Sequence, residues 1–159
     1  MSYANAPKAQ MSIISKLRKR SEATYTNVII DFWDKPTDRA TKIFVENEIA
    51  TCGVIKTELL RGSSSEKQFS QMEEALGDFV YLPFPETDWT GLARQFVTLK
   101  HNGLAVPFQD AIIAYLAIKH NCEVWTNDRH FSLMQVALPN LKLFDAEKEK
   151  SSEQERPAQ

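Results

Sequence analysis

Cysteine is scarce: Cys52 and Cys122 are the only two, and both lie in strand-like runs, so a pair of small buried thiols is expected and no disulfide framework. The three histidines, His101, His120 and His130, are scattered, which leaves no ligand set of the zinc type and reads them as surface or helix-end residues. Charge of one sign is also missing. With 19 Lys and Arg against 21 Asp and Glu the formal charge is −2, so no global basic field draws in a polyanion and any nucleic-acid contact must be local. Apolar runs stay short of the ~18 residues of a membrane span, and the first residues lack the apolar stretch of a secretory signal. A P-loop, a dinucleotide-binding glycine fingerprint and a Gly-x-Ser-x-Gly elbow are absent as well. These absences fit a chain of the reducing cytoplasm, with no membrane association.

What is present is one domain's worth of core. At 159 residues and 43% hydrophobic content the chain suffices for a single core and is short for two. Residues 1–23 read as a poorly ordered leader, helical at most over 11–19, with Lys16-Leu17-Arg18-Lys19-Arg20 as a solvated basic cluster. Residues 24–145 form the domain, and residues 146–159 are a charged tail too polar to order itself. Within the domain the pattern predicts strands over 24–30, 49–53, 79–84, 122–126 and 141–144. Helices are predicted over 38–47, 54–61, 65–77, 87–102 and 110–120. Strands alternating with helices through short connections imply a three-layer α/β/α sandwich around a central, mainly parallel sheet.

Four acids fall where such a sheet gathers its ligands, beyond the carboxyl ends of the strands. Asp31 ends the first predicted strand. Glu58 stands on the apolar stripe of its helix, and Asp110 opens a helix with Ile113, Ala114 and Ala117 on its own stripe. Asp128 follows the strand of Cys122. Alone, each of these is as readily a cap or turn residue. Together they suit a hard cation with oxygen ligands, Mg²⁺ or Mn²⁺, and hence phosphodiester hydrolysis.

Three stretches then resemble a family. Ile49-Ala-Thr-Cys-Gly-Val-Ile-Lys-Thr-Glu-Leu-Leu-Arg-Gly62, Val106-Pro-Phe-Gln-Asp-Ala-Ile-Ile-Ala114 and Trp125-Thr-Asn-Asp-Arg-His-Phe131 look like the later motifs of PIN domains, specifically the VapC-type ribonuclease toxins of toxin–antitoxin pairs. The likeness runs in order over roughly residues 25–145. It implies that Glu58, Asp110 and Asp128 are catalytic and help hold Mg²⁺ or Mn²⁺. Asp110 would be the chief ligand, with Asp128 and Glu58 as further ligands or water-holders. It implies an RNA substrate, and as partners a second copy of the chain in a homodimer and a cognate antitoxin protein. Lys56, Arg61 and Arg129 are then candidates for phosphate contacts.

The first motif departs from the family. Its members run from an apolar strand into Asp-Thr-Ser or Asp-Thr-Asn, whereas this chain has Tyr25-Thr26-Asn27-Val28, so a neutral phenol replaces the first acidic ligand. Asp31 would take its place as a metal ligand if the chain slips to use Val28-Ile29-Ile30 as the strand. The alternative is a catalytically dead PIN fold kept as an antitoxin-binding or dimerisation module.

Overall fold

The computed structural model describes residues 11–14, 16–18, 25–27, 37–126 and 128–144. Five strands pair in parallel into one sheet: β1 Met11–Ile14, β4 Glu48–Cys52, β5 Val80–Leu82, β6 Glu123–Trp125 and β7 Lys142–Leu143. Their spatial order is β5-β4-β1-β6-β7, which puts β1 at the centre with β4 on one side and β6 on the other. Two further strands, β2 Lys16–Arg18 and β3 Tyr25–Asn27, form a separate antiparallel ribbon in which Arg18 stands opposite Tyr25.

Here two expectations are corrected. Met11–Ile14 is not part of a helical leader, because it supplies the central strand; a segment of four residues with three apolar ones is long enough for a strand paired on both sides, and the flanking polar residues hid it. The strand expected over 24–30 does not enter the sheet where it is described, since Tyr25–Asn27 pairs with β2 alone. The expectations for residues 1–10 and for the 146–159 tail lie outside the described residues.

Because parallel strands cannot be joined by tight turns, helices return the chain between them. Helix α1, Asp38–Glu46, starts at Thr37, whose hydroxyl accepts from the Ala40 N–H at 3.1 Å, and it buries Ile43. Helix α2, Gly53–Leu60, follows β4 directly and buries Ile55, Leu59 and Leu60. Helix α3, Glu66–Gly77, has the expected cap, Ser65 Oγ accepting from Gln68 N; the reciprocal arm reaches Ser64, whose N–H donates to Gln68 Oε1 at 2.7 Å. Helix α4, Trp89–His101, packs on α5, Phe108–His120. Trp89, Leu92, Phe96 and Leu99 recur at helical spacing, but the buried side of the helix is Leu92, Gln95 and Leu99, with Trp89 48% exposed. Gln95 is satisfied by donating from Nε2 to the Ala111 carbonyl at 2.8 Å.

Helix α5 is the innermost helix. Ala111 through Ala114, Leu116 and Ala117 are all buried, and the helix packs on β1, β6, α2 and α4. Small residues permit the close approach. A Cβ at Gly91 of α4 would strike the Tyr115 ring of α5, so only glycine fits there. The buried Asp88, just before α4, accepts from Lys119 Nζ at 2.7 and 2.6 Å and ties the start of α4 to the end of α5. Asn121 ends α5 in the left-handed region (φ 53°), and the Cys122 N–H donates to the Ala117 carbonyl. After β6, helix α6, Arg129–Ala137, buries Phe131 and Met134 and packs on α4 and β7. The layers expected from the sequence are therefore present, with helices covering a parallel sheet.

Ile113→Ala, at a residue 1% exposed, should lower stability by about 2–5 kcal/mol in urea denaturation. Val45→Ala, at 79% exposure, should change it by less than about 0.5 kcal/mol. A second expectation concerns Cys122, whose thiol is pushed by burial, with Glu48 adding, from its ordinary 9.0 up to about 11. The folded chain favours the neutral thiol, so this contribution is intact below about pH 9 and is lost as the pH climbs towards 11. Cys122→Ala should flatten the decline of stability across that window relative to the parent.

Candidate metal centre

Strand order reverses at β1: the chain steps outward through β4 and β5, then crosses back to β6 and β7. The crevice at the carboxyl ends of β1 and β6 is where an open parallel sheet binds ligands. Two acids reach it from adjoining elements. Asp110 lies in the first turn of α5, where the aligned peptide dipoles favour a negative charge. Asp128 leaves the end of β6 and caps α6, its Oδ1 accepting from the His130 N–H at 2.9 Å while its own N–H donates to Thr126 Oγ1 at 3.0 Å.

That cap brings in a residue the sequence reading set aside. His130 sits two positions after the capping acid, and its Nδ1 lies 3.5 Å from Asp128 Oδ1 and 3.8 Å from Asp110 Oδ2. One ligand atom from each of Asp110, Asp128 and His130 lies within 4.8 Å of the other two. The aspartates are 13% and 12% exposed in their side chains and the imidazole 40%, so the group is recessed yet open to solvent on the histidine side. Sequence could have offered one signal: His130 stands two positions after an acid that precedes a helix, near enough in the chain to share its site.

The other predicted site residues separate from this group. Glu58 is half-buried on α2 and is not one of the three; it stands near Cys52, whose thiol is pushed up by burial first and by the Glu58 carboxylate in addition. Asp31 lies outside the described residues. Tyr25 is in the β2–β3 ribbon rather than at the end of a sheet strand. Among the candidate phosphate contacts, Lys56 pairs with Glu73 at 3.4 Å, while Arg61 and Arg129 are exposed, Arg129 next to Asp128 in the chain. The cavity of about 420 Å³ bounded by Gly91, Gln95, Tyr115, Lys119 and Leu138 is separate from the three ligands.

The three side chains fit a divalent cation on one observation of the structure: His130 Nδ1 is buried, has no hydrogen-bond partner, and faces two carboxylates. Two partly buried carboxylates converging on one point suit a cation that offsets their mutual repulsion. The capping role is separable from this charge. Asp128→Ala should cost about 0.5–2 kcal/mol in thermal or chemical denaturation by removing the acceptor for His130 N–H, whereas Asp128→Asn should hold close to the parent because the amide oxygen still accepts.

The PIN domain family model matches residues 26–136, well over half of the chain. No curated protein matches it. Solved structures do. A chain in the crystal structure of VapBC2 from Rickettsia felis bound to a DNA fragment from their promoter shares 21% identity at a TM-score of 0.65, covering 85% of this chain and 98% of that one. DNA-bound VapBC from Salmonella typhimurium gives 16% identity, a TM-score of 0.67, and coverage of 87% and 98%. FitAcB from Neisseria gonorrhoeae gives 19%, 0.63, and 86% and 98%. At these identities the structures speak for the fold, and the family model speaks for the family: the chain belongs to the PIN domain family.

Proposed function

We propose that this chain is a VapC-type, metal-dependent endoribonuclease that hydrolyses RNA phosphodiester bonds. The observation that supports it best is the convergence of Asp110, Asp128 and His130 at the carboxyl edge of a PIN-type sheet. Asp110 and Asp128 would hold Mg²⁺ or Mn²⁺, which when bound supplies an activated water and offsets charge developing on the phosphate. The rest falls to the chain's own groups. Helix α5 fixes the Asp110 carboxylate, and the α6 cap fixes that of Asp128, so neither must reorganise when a phosphate enters. Glu58, half-buried on α2, would orient a water or serve as an outer ligand. Arg129 and Arg61 offer cations to the backbone of a single strand.

As partners we propose a second copy of the chain and a cognate antitoxin, as the VapBC and FitAcB assemblies among the similar structures suggest. Exposed Trp89, Val97 and Phe108 supply apolar area for such contacts; the Phe108 ring stacks with those of Trp89 and Phe96, at centroid distances of 6.5 and 5.5 Å. Among the described residues no helix is long and apolar enough to cross a membrane. A cytoplasmic location belongs to this proposal.

One observation favours a second reading, a PIN fold that binds its partner without cutting RNA. Where the family's first motif carries an aspartate this chain has Tyr25, and that residue stands in a ribbon outside the main sheet. The readings separate on one variant. If the chain is a nuclease, Asp110→Asn should lower Mn²⁺-dependent cleavage of single-stranded RNA by about a hundredfold or more while leaving the urea midpoint close to the parent's, since Asn keeps the shape and loses the charge. A parent that neither cleaves RNA nor gains thermal stability from Mn²⁺ would establish the binding module instead.

A further inference from the structure

His130 Nδ1 has an unresolved position among its neighbours. As an acceptor it would face two acceptors, and as a donor it stands 3.5 and 3.8 Å from them, too far for a good hydrogen bond to either. A cation bound between the carboxylates would give Nδ1 the partner it lacks. Neighbouring ligands each ~2.1 Å from an octahedral ion lie ~3.0 Å apart, so the observed separations of 3.5 and 3.8 Å would close by roughly 0.5–0.8 Å around a bound ion. The imidazole is also held in place: its backbone N–H is bonded to Asp128 Oδ1, and the next residue, Phe131, is fully buried.

We infer that His130 Nδ1 is a third protein ligand for the cation held by Asp110 and Asp128, and that it turns the site from Mg²⁺ towards Mn²⁺. The inference rests on the proposed reading of the two aspartates as metal ligands. Mg²⁺ takes oxygen, demands a near-ideal octahedron and gives up its waters reluctantly, so a nitrogen at this position adds little to its binding. Mn²⁺ prefers oxygen ligands too, but it belongs, as the weakest member, to the first-row series that binds nitrogen sites, whereas Mg²⁺ stands outside that series. A site of carboxylates alone would separate the two ions weakly; one nitrogen strengthens only the softer. Exposure of the ring leaves the ion a route in from solvent.

The test uses the full chain, with Mn²⁺ and Mg²⁺ titrated separately by calorimetry and the bound Mn²⁺ examined by pulsed electron paramagnetic resonance for coupling to a directly bonded nitrogen. The parent should show the nitrogen coupling and bind Mn²⁺ at least about tenfold more tightly than Mg²⁺. His130→Ala should lose the coupling and about tenfold in Mn²⁺ affinity, with Mg²⁺ affinity changed by less than about twofold. The resonance measurement on the parent stands even if the variant does not fold. Mn²⁺ bound without nitrogen coupling, or with parental affinity in His130→Ala, overturns His130 as a ligand and leaves the aspartates in place. Asp110→Asn binding Mn²⁺ as tightly as the parent, or a parent that binds no Mn²⁺, overturns the aspartate reading and this inference with it.

Discussion

Parallel pairing of β1 between β4 and β6 is the constraint on which the rest depends. Strands that run the same way must be joined by returning helices, so α5, whose last turn leads into the start of β6, begins at the carboxyl edge of the sheet, as does α6, which follows β6. Reversing the strand order at β1 opens a crevice at that edge, and α5 and α6 both point their first turns into it. The dipoles of two helix starts and the N–H groups of an N-cap favour carboxylates at this end of the sheet.

The energetics of α5 explain why this arrangement is firm enough to serve as a site. Six of its residues are buried, Gly91 lets α4 approach the Tyr115 ring, and the Asp88–Lys119 pair closes the far end. A side chain borne on such a helix has few other places to go. Asp110 thus inherits its position from packing, whereas Asp128 inherits its position from hydrogen bonds at a cap. Two independent restraints converge on one point, and His130 follows from the second.

Much of this was legible in the sequence, and the reasons differ by element. The helix at 38–46 follows the chain break of Lys35-Pro36-Thr37, the one at 66–77 follows Ser65 with Gln68 at capping spacing, and the 108–120 helix carries an apolar stripe that includes Asp110. Its end at Asn121 matches the one non-glycine residue with positive φ among those described. The central strand escaped because Met11–Ile14 is short and is followed by a basic run, so its pairing with β4 and β6 is visible only in three dimensions. His130 escaped for a related reason. Spacing shows that it is near Asp128, but only the turn of the cap brings its ring between two carboxylates that lie 18 positions apart in the chain. Tyr25 stands out in both views, as a departure from the family's first motif and as a member of a ribbon that the main sheet does not include.

The central claim is that Asp110, Asp128 and His130 hold one divalent cation at the carboxyl edge of the sheet, and crystals soaked in Mn²⁺, measured for anomalous scattering, address it most directly. The account predicts a single strong peak within about 2.0–2.3 Å of a carboxylate oxygen of each aspartate and of His130 Nδ1. A well-occupied ion elsewhere, or saturating Mn²⁺ with no peak between the two aspartates, would contradict it.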